Sequence, residues 1–157
     1  GKPMVIKPAL YADIAFIHVH EADIYGNARF KGIQVSDLDV ANSAKHVVLT
    51  TERLVPHDQL IGEPETIQIP FYLVDAVCEV PYGAYPGLMP YEYFSDESHL
   101  REWHRVENDP EEYKRFVEEY VYGCKDHSEY VNKCGGRERM MELRRIELNL
   151  DTEADHA

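Results

Sequence analysis

Three apolar, β-prone runs, the first two joined by a short helical pattern, constrain this chain more than any other feature. Ile14-Ala15-Phe16-Ile17-His18-Val19 is almost continuously apolar, the pattern of a strand covered on both faces. Ser36 stands where a helix N-cap belongs, and a helix is expected from there to about Lys45. Asp37 and Asp39 in its first turn suit the positive end of the helix dipole. Leu38, Ala41 and Ala44 recur at the spacing of a face turned to a sheet. His46-Val47-Val48-Leu49-Thr50 follows as a second buried strand, and residues 72–80 read as a third. Strand, helix, strand in this order is a βαβ unit, which implies parallel strands joined by a right-handed crossover.

The stretches between these runs carry turn chemistry. Tyr25-Gly26-Asn27 marks a tight turn, because Gly and Asn tolerate positive φ, and Ala28-Arg29-Phe30 follows as a short strand. Residues 55–70, with three prolines and a glycine, read as irregular connection. Pro81 ends the third strand, and the proline-bounded segment 81–87 cannot continue it, because proline removes ladder donors. That segment lies just beyond the carboxyl end of a strand, where ligands sit in open parallel sheets.

From Glu92 onward the chain is acidic and helical. Asp109-Pro110-Glu111-Glu112 combines an N-cap, a proline at the first position and a glutamate at the third. Tyr113, Phe116, Val117, Tyr120 and Val121 then share one helix face, and Gly123 stops the helix. Asp126 with Glu129 repeats the capping pattern, and Gly135-Gly136 closes that helix. The expected architecture is a three-layer α/β/α domain with a mainly parallel sheet and a helical C-terminal region. It is expected to form one domain over residues 1–150, with a flexible tail at 151–157. Gly1, followed closely by β-prone Met4-Val5-Ile6, reads as a cut inside a longer protein or a tag remnant.

Charge and cysteine usage narrow the function. With 16 basic and 29 acidic residues the formal charge is −13, a surface that repels phosphate backbones and excludes a nucleic-acid role. No apolar run approaches a membrane span, and no secretory leader opens the chain. Cys78, Cys124 and Cys134 lack CxxC spacing and cannot all pair with one another, which reads as reduced thiols in a cytoplasmic protein.

Few residues point to chemistry by type and spacing alone. His18 and His20 alternate on a strand, so both rings point the same way, as in HxH-type metal hydrolases. Zinc requires three or four ligands, and only Glu21, Asp23 and His46 stand nearby as nominal additions. The plainer reading is two packed or hydrogen-bonded histidines near a strand end. Asp23 with Gly26 and Asn27 reads either as a turn whose carboxylate caps backbone amides or as one edge of a cleft. Tyr82-Gly83-Ala84 is either an ordinary connection or a loop whose small residues let a ligand approach the main chain. The carboxylates between Glu92 and Glu129 read as a solvated helix face, and Tyr113, Phe116 and Tyr120 as core or an intersubunit contact. No Ser-His-Asp spacing, P-loop or GxGxxG occurs.

Four segments together resemble the A subunit of glutaconate CoA-transferase and its relatives among the family I CoA-transferases. They are residues 9–19 continuing through Ala22-Asp23-Ile24-Tyr25-Gly26-Asn27-Ala28; residues 39–45 with Val47-Val48-Leu49-Thr50-Thr51-Glu52; residues 74–86, with the loop Pro81-Tyr82-Gly83-Ala84-Tyr85-Pro86; and Lys125-Asp126-His127-Ser128-Glu129-Tyr130. The AD-x-x-GN turn resembles family I broadly, whereas the PYGA-x-P loop and the KDH-x-EY segment resemble the glutaconate-type branch. The resemblance runs to about Gly136 and covers about half of such an A subunit, its C-terminal part.

The resemblance implies exchange of coenzyme A between an acyl-CoA and a carboxylic acid through a partner-subunit glutamate, with no catalytic residue in this chain. It implies that Asp23, Gly26, Asn27, Tyr82, Gly83 and Ala84 line one wall of the acyl-CoA cleft. It implies no tightly bound cofactor and no metal, with coenzyme A thioester as substrate. The implied partners are a B subunit and the N-terminal half of the A subunit, so the isolated chain is expected to be inactive. His20 stands where related sequences often carry a neutral polar residue, which implies a substrate other than glutaconate. Some proteins of this fold are CoA-ester hydrolases. Part of such a hydrolase, a metal hydrolase built on His18 and His20, and a non-catalytic interaction domain are the alternatives.

Overall fold

The computed structural model describes residues 3–150, which fall into two compact units divided between Gly83 and Ala84. Gly1, Lys2 and the tail expected at 151–157 lie outside the described residues.

The first unit is built on a four-stranded sheet in the order β2-β1-β3-β4. β1 (Ala12–Ala22) pairs in parallel with β3 (Ala44–Leu54), and β3 in parallel with β4 (Ala76–Glu79). The two-residue β2 (Ala28–Arg29) folds back antiparallel on β1, matching Glu21 with Arg29 and Ala22 with Ala28. The register sets Ala15 beside Val47 and Ile17 beside Leu49, so one sheet face is a continuous apolar surface. Helix α1 (Asp37–Ser43) buries Ala41 in this core, and Ile69 joins it from the connection beyond β3. Each of the larger buried side chains, such as Leu49 and Ile69, contributes roughly 1.5–3 kcal/mol.

The other face of β1 differs from expectation. Ile14 and Phe16 are 51% and 73% exposed, so among the described residues nothing covers the second face of this near-continuous apolar run. Hydropathy alone does not distinguish a strand covered on both faces from one whose second face stands open. Helix α1 spans Asp37–Ser43 rather than reaching Lys45, and Ser36 makes no side-chain capping bond. Leu38 is 38% exposed, and Val40 packs on the core instead. The third strand is shorter than residues 72–80. Phe71–Leu73 winds into a single 3-10 turn after Pro70, and the ladder begins at Ala76. Asp75 Oδ2 accepts the Val47 N–H at 2.8 Å just before that ladder begins. The stretch expected to be irregular holds a short helix α2 (His57–Ile61) and a 3-10 turn at Pro64–Thr66.

The second unit is helical: α3 (Glu97–Val106), α4 (Pro110–Val117) continuing as a wider-wound turn over Glu118–Tyr122, α5 (His127–Lys133) and α6 (Gly136–Leu148). Three aspartates start helices by accepting backbone amides. Asp96 takes those of Ser98 and His99, Asp109 those of Glu111 and Glu112, and Asp126 that of Glu129. The capping signals of α4 and α5 were legible in the sequence. Helix α6 was not, because salt bridges rather than a clean apolar stripe hold it. Only Met140 and Leu143 are buried, while Arg139 pairs with Asp96 and Arg144 with Glu92.

Candidate functional site

Parallel pairing brings the carboxyl ends of β1 and β3 together, and polar side chains gather there. His18 of β1 is registered with Thr50 of β3, and Glu52 lies two residues further along the same face. The His18 ring is held from both sides, Nδ1 at 2.8 Å from Thr50 Oγ1 and Nε2 at 2.8 Å from Glu52 Oε1. Glu52 is buried, and its second oxygen accepts the Tyr82 N–H at 2.8 Å. Tyr82 adopts a φ of 63°, a left-handed conformation that costs a non-glycine residue energy and requires such anchoring. Gly83 follows, and a side chain there would meet His18 Cε1 at 2.5 Å and the Val80 carbonyl oxygen at 2.8 Å. Only glycine lets the main chain pass so close to the imidazole. His18 and Glu52 are therefore positioning residues for the Tyr82-Gly83 segment. Ala84 opens the second unit, where its N–H donates to Tyr93 Oη at 3.0 Å.

The Asp23 turn forms a second polar cluster. Asp23 is fully buried, and its Oδ1 accepts the amides of Tyr25, Gly26 and Asn27 at 2.9, 2.9 and 3.0 Å. Its Oδ2 accepts Asn27 Nδ2 at 2.8 Å and lies 2.7 Å from His57 Nδ1. Burial alone would raise the Asp23 pKa, but the Asn27 and His57 hydrogen bonds outweigh it and hold the carboxyl below its usual range. Asn27 Oδ1 in turn accepts the Phe71 N–H at 3.2 Å, tying the turn to the segment before β4. Gly26 has a φ of 102°, and an added Cβ would stand 2.8 Å from Val74 Cβ. Asp23, Gly26 and Asn27 thus act as one rigid turn.

Next to this turn, Glu21 is buried and bonded to Arg29 Nε at 2.6 Å. Burial raises its pKa, but Arg29, Lys31 and Arg53 together outweigh that effect and hold it ionised. The two histidines of the HxH pair are occupied separately. His18 is bound as described, and His20 Nδ1 accepts the Lys31 N–H at 3.0 Å, which puts the ring proton on Nε2 when the ring is neutral. Among the described residues no group of three or more His, Cys, Asp or Glu side chains is arranged to hold a metal ion.

Thr50, Glu52 and His57 are the polar residues that spacing alone did not single out. A signal for Glu52 existed in principle: a carboxylate two residues beyond a β-prone run, on the face its strand shares with His18 once the register is known. No local signal marks His57, which meets Asp23 from 34 residues away.

These elements make an α/β protein with a mostly parallel sheet and a polar cluster at its carboxyl edge. Residues 1–80 match Coenzyme A transferase, and the chain belongs to the coenzyme A transferase family. An uncharacterized protein of Archaeoglobus fulgidus is 45% identical over 147 residues, covering 94% of this chain and 33% of that protein. The A subunit of glutaconate CoA-transferase from Acidaminococcus fermentans is 34% identical over 135 residues, 86% of this chain and 42% of the relative. The crystal structure of glutaconate coenzyme A-transferase from the same organism matches with a TM-score of 0.80 at 34% identity, covering 83% of this chain and 41% of the other. The cholesterol ring-cleaving hydrolase IpdA subunit of Mycobacterium tuberculosis is 29% identical over 137 residues, 84% of this chain and 47% of the relative. The chain therefore spans less than half the length of each of these relatives.

Proposed function

We propose that residues 1–150 form part of the A subunit of a multi-chain acyl-CoA:carboxylate CoA-transferase, with Asp23, Gly26, Asn27, Tyr82, Gly83 and Ala84 contributing to one wall of the acyl-CoA cleft. The observation that carries this reading is the Tyr82-Gly83 main chain at the carboxyl edge of parallel strands, pinned by Glu52 and His18. A glycine held there lets a thioester arm approach the backbone, and open α/β sheets bind ligands at this edge. Family membership and the glutaconate-type relative supply the reaction class.

The chemistry is two successive exchanges at a glutamate of a partner subunit. That carboxylate attacks the thioester carbonyl, the C–S bond breaks, and a mixed anhydride and CoA thiolate form. The thiolate attacks the glutamyl carbonyl, releasing the first acid and leaving a glutamyl-CoA thioester. The incoming acid reverses both steps and departs as the new CoA ester. No metal or tightly bound cofactor takes part. The three free thiols, Cys78, Cys124 and Cys134, suit a reducing cytoplasmic setting.

Assay of the purified chain alone, then with a B subunit plus the remaining portion of the A subunit, tests this reading. Transfer of CoA to glutaconate, or to a 3-oxo acid, should appear only in the assembled sample, and turnover by the chain alone would refute the proposal. The ring-cleaving hydrolase relative supports a second reading, CoA-ester hydrolysis. That reading predicts release of free CoA without an acceptor acid. The higher identity to the glutaconate enzyme over a similar length favours transfer.

A further inference from the structure

The helical unit forms a solvent-open cavity of about 610 Å3 that shares no residue with the proposed cleft wall. Its wall is a cluster of rings: Tyr85, His99, Trp103, Phe116, Tyr120 and Tyr130. Three of the ring contacts are edge to face, His99 to Tyr120 at 4.9 Å, Trp103 to Phe116 at 5.6 Å and Tyr85 to Tyr130 at 5.9 Å between centroids. The volume falls within the ~300–1,000 Å3 typical of sites for small organic ligands.

The lining carries almost no charge. Burial, aided by Asp96, raises the Tyr85 phenol, and burial raises that of Tyr130, so both stay protonated. Burial lowers the His99 pKa, which favours the neutral ring. Among the described lining residues there is no lysine or arginine, and the one carboxylate, Asp126, accepts the Glu129 N–H as the cap of α5. Lys133 stands over the Tyr120 ring at 5.6 Å, but its ammonium donates to the Glu119 carbonyl at 2.7 Å. An anion entering the cavity meets no lysine or arginine to replace its water, and the one carboxylate a cation meets among the described lining residues, Asp126, is solvent-exposed at the start of α5.

We propose that this aromatic cavity is a binding site for an uncharged alicyclic or aromatic group of a small molecule. The ring edges and the aliphatic Leu100 and Val121 supply dispersion contacts, and a neutral ligand leaves no desolvated charge behind.

The chain carries a single tryptophan, and it lines this cavity, so occupancy can be read directly. Trp103 emission is titrated in the full chain with 1-adamantanol, adamantane-1-carboxylate and 1-adamantylammonium at matched ionic strength. The alcohol is expected to give a saturable shift, with the carboxylate and the ammonium at least about tenfold weaker. Val121→Phe, at a 58% exposed position, should weaken the alcohol at least about fivefold while leaving the far-ultraviolet dichroism unchanged. No saturable shift, equal or tighter binding of either ion, or unaltered binding by Val121→Phe would overturn the proposal. So would Trp103 emission that tracks dimer formation in sedimentation and ignores the alcohol, because a second copy then fills the cavity.

Discussion

Asp96→Ala is expected to destabilise the helical unit by about 3–5 kcal/mol, the cost of breaking a buried ion pair by removing one partner. Asp96 is 3% exposed and serves three roles at once. It caps α3 through the Ser98 and His99 amides, and it accepts the Tyr85 hydroxyl at 2.9 Å. It also binds Arg139 of α6 through Nε at 2.9 Å and Nη2 at 2.8 Å. Alanine would leave the Arg139 fork and the Tyr85 phenol without this acceptor. Asp96→Asn keeps a cap and should lose less. The measurement is the urea midpoint followed by helical dichroism.

The same pair makes a pH prediction. Arg139 is the leading cause that holds the Asp96 carboxyl well below the usual range. A depressed acid contributes its stabilisation fully above the unfolded carboxylate pKa, near 4, and loses it as pH falls toward the lower folded value. Stability of the native chain should therefore fall steeply below about pH 4, and the Asp96→Ala profile should be flatter there.

Asp23→Ala should cost about 3 kcal/mol or more, because three backbone amides and the Asn27 amide lose one shared buried acceptor. Asp23→Asn retains an oxygen for the turn amides but not the charge facing His57, and should fall between the two. Thermal unfolding of both variants beside His57→Ala separates the turn bonds from the His57 contact. A loss under about 1 kcal/mol for the alanine variant would show that the turn holds without its carboxylate.

What the sequence revealed and what it hid have physical causes. The order β1, α1, β3 was legible because apolar residues fill the buried face of both strands. The end of β3 was not, since Thr51 and Glu52 are buried through side-chain hydrogen bonds that hydropathy does not record. The strand ending at Glu79 was overestimated because Tyr72 and Leu73 are β-prone yet follow Pro70 into a 3-10 turn. Helix α6 carries its specificity in arginines that pair with Glu92 and Asp96, more than 40 residues away. At the candidate site, the Asp23-Gly26-Asn27 turn was visible as local chemistry. The His18-Glu52-Tyr82 link was not, because it exists only once two distant strands are set side by side.

The proposed transferase places its reactive carboxylate on a partner chain, with this one shaping the cleft. Trapping tests this most directly: the assembled enzyme is incubated with an acyl-CoA and no acceptor acid, digested, and the covalently bound CoA located by mass spectrometry. The adduct is expected on a glutamate of the partner chain, with none on this one. A CoA thioester on any carboxylate of residues 1–157 would place the reactive acid in this chain and overturn the proposed division of roles.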